Sequence, residues 1–161
     1  MLKISTTTKG GHFAYVWESP NAILELIKIY TQIESLFPTV NTENHWYSTV
    51  NLGKIRGGLS VNSIADFAEM KIDIRFCEPW KFLEEILKKI KKIVNKNKAK
   101  MSILYKTNLM DTSLNNKNIQ MLNKICKKNL GVAKDLYFNN HGTNDARFAN
   151  HYRIPAVAFG Q

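Results

Sequence analysis

The sequence predicts an α+β fold: a ferredoxin-like βαββαβ domain over residues 1–108, followed by an incomplete α/β piece over 109–161. Three observations carry this. Lys71-Ile72-Asp73-Ile74-Arg75 alternates polar and apolar residues with the two-residue period of a half-buried strand. Two apolar stretches of helical spacing flank the hairpin to which that strand belongs. The resulting order of strand, helix, strand, strand, helix, strand over about residues 2–107 is met by a four-stranded antiparallel sheet with both helices on one face.

Leu2 to Thr8 reads as the first strand, and Lys9-Gly10-Gly11-His12 breaks it. Ser19-Pro20-Asn21 opens the first helix, with Ser19 as N-cap and Pro20 at the first helical position, where a missing N–H costs nothing. Ile23, Leu24, Ile27, Ile33 and Leu36 form its apolar stripe, and Phe37-Pro38 ends it. Trp46 to Ile55, rich in aromatic and β-branched residues, is the second strand. Gly57-Gly58 and a polar loop, Ser60 to Ser63, lead into the third, whose exit carries Arg75. Glu78-Pro79 starts a second helix with Trp80, Leu83, Ile86, Leu87, Ile90 and Ile93 or Val94 inward and lysines outward. Lys100 to Lys106 is the fourth strand.

Past Asn108, Asp111-Thr112-Ser113 caps a helix from about Asn115 to Leu130, stopped by Gly131. Asp135 to Phe138 reads as a short strand. His141 to Asp145 turns into a short helix, Ala146 to His151. Ile154 to Gly160 is a nearly continuous apolar strand. Two strands cannot close an α/β core.

With 161 residues, 44% of them apolar and 22% charged, the composition is globular. No apolar run approaches the roughly 20 residues of a membrane span. Cys77 and Cys126 lie far apart without metal-type spacing, which suits free thiols in a reducing, cytoplasmic setting. The net charge of +10 raises nucleic acid as a partner. Much of the excess sits in Lys88 to Lys100 without interleaved aromatic residues to stack on bases, which favours a solvated helix face.

Three stretches then point to a family. They are Lys9-Gly10-Gly11-His12 with Asn21-Ala22-Ile23; Gly57-Gly58 with Asn62-Ser63-Ile64 and Asp73-Ile74-Arg75; and Gly142 to Phe148 with Ile154-Pro155-Ala156-Val157 and Phe159-Gly160. In these the chain resembles the dinuclear-zinc peptidases and deacylases that include succinyl-diaminopimelate desuccinylase, acetylornithine deacetylase, carboxypeptidase G and aminoacylase. The resemblance implies that residues 1–108 are the lid, or dimerisation, domain and that 109–161 belong to the catalytic domain. Two departures stand out: Tyr15-Val16-Trp17 where a proline usually follows the lid histidine, and Ala65 where a proline closes the Asn-x-Ile motif. The family's His-x-Asp motif, Glu-Glu pair and late histidine have no counterpart in the 161 residues.

The resemblance implies a fragment, or a truncated relative, of a zinc-dependent amide hydrolase acting on N-acylated amino acids or small peptides. Its dinuclear zinc (or cobalt) site would belong to the full-length enzyme, with no metal held by this fragment and no activity from it alone. It implies that His12 holds the oxyanion across a homodimer, and that Asn62, Arg75, Gly142 and Thr143 contact substrate. Read from the residues alone, His12 is an exposed loop residue, Asn62 a turn residue, Arg75 a partner of Asp73 or Glu69, and Thr143 a helix cap. His45, His141 and His151 have no ligand-like spacing and are assigned no metal. The alternative is a stand-alone ferredoxin-like dimerisation or nucleic-acid-binding module.

Overall fold

The computed structural model describes residues 1–41, 47–77, 80–107, 112–136 and 145–158, with the backbone alone at 80–82, 150 and 151. The chain divides into two compact units, Met1–Lys106 and Thr107–Gln161.

In the first unit the elements are β1 (Leu2–Thr7), β2 (Gly11–His12), α1 (Ala22–Glu34), β3 (Thr49–Gly57), β4 (Ser63–Ile64), β5 (Phe67–Arg75), α2 (Trp80–Lys96) and β6 (Lys100–Ile103). Four strands form one antiparallel sheet in the order β3-β5-β1-β6. This is the ferredoxin-like arrangement. β2 and β4 make a separate two-stranded ribbon.

The pleat decides which side chains reach the core. In β1, Leu2, Ile4 and Thr6 are buried; in β5, Ala68, Met70 and Ile72. The helices cover this face with Ala22, Leu26, Ile29 and Ile33 from α1 and Leu83, Ile86, Ile90 and Val94 from α2. Each set steps by three or four residues, which keeps it on one side of a helix. The opposite sheet face carries Lys3, Ser5, Glu69, Lys71 and Asp73. A bulge at Gly53 shifts the β3 register between Leu52 and Lys54, which sets Lys54 opposite Lys71.

The first helix differs from expectation in its start and its inward face. Its N-cap is Asn21, not Ser19, because Asn21 Oδ1 accepts from the Ile23 N–H at 2.9 Å whereas the Ser19 hydroxyl donates to the Pro20 carbonyl at 3.3 Å. Leu24 and Ile27 are exposed. Six of the eight positions from Ala22 to Ile29 are apolar, so spacing alone could not choose between neighbouring stripes. The fourth strand ends at Ile103.

The second unit holds α3 (Lys117–Leu130) and α4 (Arg147–His151). Asn116 caps α3 through Oδ1, at 3.0 Å from the Asn118 nitrogen, so the start predicted at Asn115 moves to Lys117. Gly131 ends α3 in the left-handed region at φ 64°. The strand expected from Ile154 is absent from the described residues 154–158. No described residue of this unit forms a strand, so none of the described residues offers a ladder partner. The Ile154 N–H donates to the Ala149 carbonyl at 3.0 Å, and Ala156 bonds the Thr112 hydroxyl through both its carbonyl and its N–H, at 2.6 and 3.0 Å. Of the strand expected at 135–138, Asp135 and Leu136 are not in a strand and the rest lies outside the described residues.

Candidate functional site

The Gly-rich turn after β1 is pinned to the entrance of β5. The Thr8 N–H donates to the Asp66 carbonyl at 2.7 Å, and the Thr8 hydroxyl to the Ala65 carbonyl at 3.0 Å. Gly10 has φ +67°, and a Cβ there would stand 2.8 Å from Asp66 Cβ. Both the dihedral and the close approach require glycine. Past it, Gly11 pairs with Ile64 and His12 with Ser63, and the Phe13 N–H donates to the Asn62 carbonyl at 3.2 Å. The β2–β4 ribbon therefore sets His12 beside the loop of Asn62.

His12 is exposed and caps a single 3-10 turn, Phe13–Tyr15. Its Nδ1 accepts from the Ala14 N–H at 3.2 Å. Its ring lies 5.6 Å from that of Phe13 and 6.4 Å from that of Tyr15, centroid to centroid. Tyr15 in turn meets Trp17 edge-on at 5.8 Å. Asn62 is exposed, and its Oδ1 accepts from the Ser60 hydroxyl. The loop residue sequence reasoning overlooked is Val61, fully exposed beside Asn62; with Leu59 at 95% exposure it gives the loop an apolar rim. Beneath, a cavity of about 160 Å³ is lined by Lys9, Gly10, Gly11, Ser63, Ile64 and Asp66 among others.

Arg75 is not brought to this place. It stands at the far end of β5, where its Nε lies 2.8 Å from Asp73 Oδ2. Nine strand residues separate the two ends, roughly 25–30 Å. Gly142 and Thr143 lie outside the described residues, as do His45 and His141. Arg147, in α4, lies with its Nη1 3.7 Å from Asp145 Oδ1 and its guanidinium 4.5 Å from the centre of the Phe148 ring. Among the described residues no three His, Cys, Asp or Glu side chains come together as a metal-holding group. These residues do not fit a dinuclear metal centre. Neither Cys77 nor Cys126 is in a disulfide, and the Cys77 thiol donates to the Tyr47 carbonyl at 3.4 Å. No helix among the described residues is long and apolar enough to cross a membrane.

Residues 1–102 match the model of the peptidase dimerisation domain. The chain belongs to that family. In fold it is similar to a tripeptidase from Staphylococcus aureus subsp. aureus Mu50, with TM-score 0.76 at 18% identity over 96% of this chain and 40% of that one. Aminopeptidase PepT from Bacillus cereus gives 0.64 at 16% identity, covering 96% and 41% of the two chains. A hydantoinase/carbamoylase family amidase from Burkholderia ambifaria gives 0.64 at 13%, covering 96% and 37%. The chain thus spans about two fifths of the length of these solved proteins. No curated protein matches it in sequence. The matched residues include the first two of the three sequence stretches that pointed to a peptidase family; the third, from Gly142, lies beyond them.

Proposed function

We propose that the chain is the lid, with a piece of the catalytic domain, of a cytoplasmic metal-dependent amide hydrolase acting on N-acylated amino acids or small peptides. Residues 1–108 are the lid and 109–161 the catalytic piece. The observation that carries this reading is the pinned His12 loop: a histidine held by paired strands, next to Asn62, on a domain that belongs to a peptidase dimerisation family. In the complete enzyme the dinuclear zinc (or cobalt) centre belongs to segments other than the described residues, and the chain alone binds no metal pair and cleaves no amide.

Dimerisation gives the separated residues one task. β3 is a nine-residue strand at an edge of the sheet among the described residues, and an unpaired edge is a template for a second copy. A two-fold axis beside β3 runs the two edges antiparallel. The end of β3 that lies beside Arg75 then faces the opposite end of the partner's β3, near the partner's His12–Asn62 loop. In that assembly His12 and Asn62 of one copy serve the same substrate as Arg75 of the other. His12 and Asn62 donate to the amide oxygen as charge develops on it, and Arg75 exchanges Asp73 for a substrate carboxylate. Gly142 and Thr143 offer backbone N–H groups to that carboxylate.

His12→Ala in the complete enzyme tests this. Loss of one oxyanion donor lowers kcat about 100-fold or more with KM little changed. An unchanged kcat would remove His12 from the chemistry.

A further inference from the structure

His12 Nδ1 is occupied, and the group that occupies it fixes the chemistry of the other ring nitrogen. A backbone N–H can only donate, so Nδ1, 3.2 Å from the Ala14 nitrogen, is a bare acceptor. In a neutral imidazole the single proton then resides on Nε2. The contact is built into the loop. His12 has extended backbone angles, φ −81° and ψ 137°, and stands as N-cap of the Phe13–Tyr15 turn, using its ring where a Ser or Asn would use an oxygen. The β2–β4 pairing fixes its backbone, and the Phe13 and Tyr15 rings lie 5.6 and 6.4 Å from the imidazole, centroid to centroid.

We propose that the Ala14 N–H locks His12 as the Nε2–H tautomer, making the imidazole a neutral hydrogen-bond donor of fixed direction. Nε2 lies across the ring from Nδ1 and so faces away from the turn. The ligand group it receives is an oxygen acceptor, such as a carbonyl. A ring held this way neither takes a proton from a ligand through Nδ1 nor presents a bare nitrogen outward. Ala14 is accordingly a positioning residue, acting through its main chain. The consequence for catalysis rests on the function proposed above; the tautomer does not.

Nitrogen-15 NMR of the 161-residue chain in mildly alkaline buffer reads the tautomer directly, and hydrogen exchange reads the Ala14 amide. The expected result is a single His12 population with Nδ1 bare and Nε2 protonated, and an Ala14 amide exchanging about tenfold or more slowly than in a free peptide. A measurable share of Nδ1–H, or an Ala14 amide exchanging at the free-peptide rate, would overturn the lock. Two substitutions separate the cap from the donor. His12→Ala should release the Ala14 amide. His12→Asp should keep it protected, since a short carboxylate can cap the turn, yet lose the outward donor, because an ionised carboxylate only accepts. If His12→Asp in the complete enzyme turned over like the unsubstituted protein, the role of His12 in the reaction would fall while the tautomer stood.

Discussion

Asn62 and Arg75 stand at opposite ends of β5. One is on the loop pinned to the His12 turn, and the other is paired with Asp73 beyond the strand's last core residue. Side chains so far apart cannot grip one small ligand within a single copy. In the two-fold dimer proposed above they would serve one ligand from two copies.

Mixing therefore becomes a test. Asn62→Ala and Arg75→Ala versions of the complete enzyme should each be impaired. Random exchange of their subunits makes half the dimers mixed, and each mixed dimer has one site with both residues intact. About a quarter of the original activity should return. Equal impairment before and after mixing would put both residues in one subunit's site.

The start of α1 is tested by its cap. Asn21→Ala should cost about 1 kcal/mol in a denaturant titration, since it strips the acceptor from two helix N–H groups. Ser19→Ala should cost clearly less. The reverse ranking would restore Ser19 as the cap.

Why that cap was misplaced, when the sheet was not, comes down to how much each pattern constrains. Strand alternation has only two phases, and Lys71 to Arg75 shows one of them without ambiguity. Ser19, Pro20 and Asn21 are all good helix starters, and only the backbone decides among them. Likewise Leu24 and Ile27 are as apolar as Leu26 and Ile29, so the inward face of α1 follows from where the sheet lies. The His12 and Asn62 loops were legible because glycines and short polar residues mark them. That Arg75 lies far from them was not, because thirteen residues of chain can fold back or run straight. The strand expected from Ile154 fails for a further reason: a strand is defined by its partner, which local sequence does not reveal.

Gly10→Ala should loosen the His12 turn. The left-handed φ and the 2.8 Å approach to Asp66 Cβ together predict a loss of about 1–3 kcal/mol in a denaturant titration. The Ala14 amide should also exchange faster. A neutral effect on both would mean that the loop can move off β5 without cost.

On the acid side the pH dependence has a clear contributor in Glu69. Arg56 Nε lies 2.8 Å from Glu69 Oε1, and this hydrogen bond, more than the nearby Lys3 and Lys71 charges, lowers the Glu69 pKa from its ordinary 4.5. A carboxyl whose folded pKa is depressed stabilises the fold above its unfolded pKa and stops doing so as pH falls through the folded one. The Arg56–Glu69 contribution is thus complete at neutral pH and fades below about 4.5. Arg56→Gln should flatten that acid limb in thermal melts taken across the pH range. An unchanged limb would show that other carboxylates set it.

The dimer proposed through the first unit is tested directly by the mass of the chain in solution. Sedimentation equilibrium at tens of micromolar protein, a concentration on the order of that at which weak interfaces assemble, should give twice the 18.5 kDa of one chain, with the β3 amides protected from exchange. A species of 18.5 kDa under those conditions, with β3 amides open to solvent, would contradict the account.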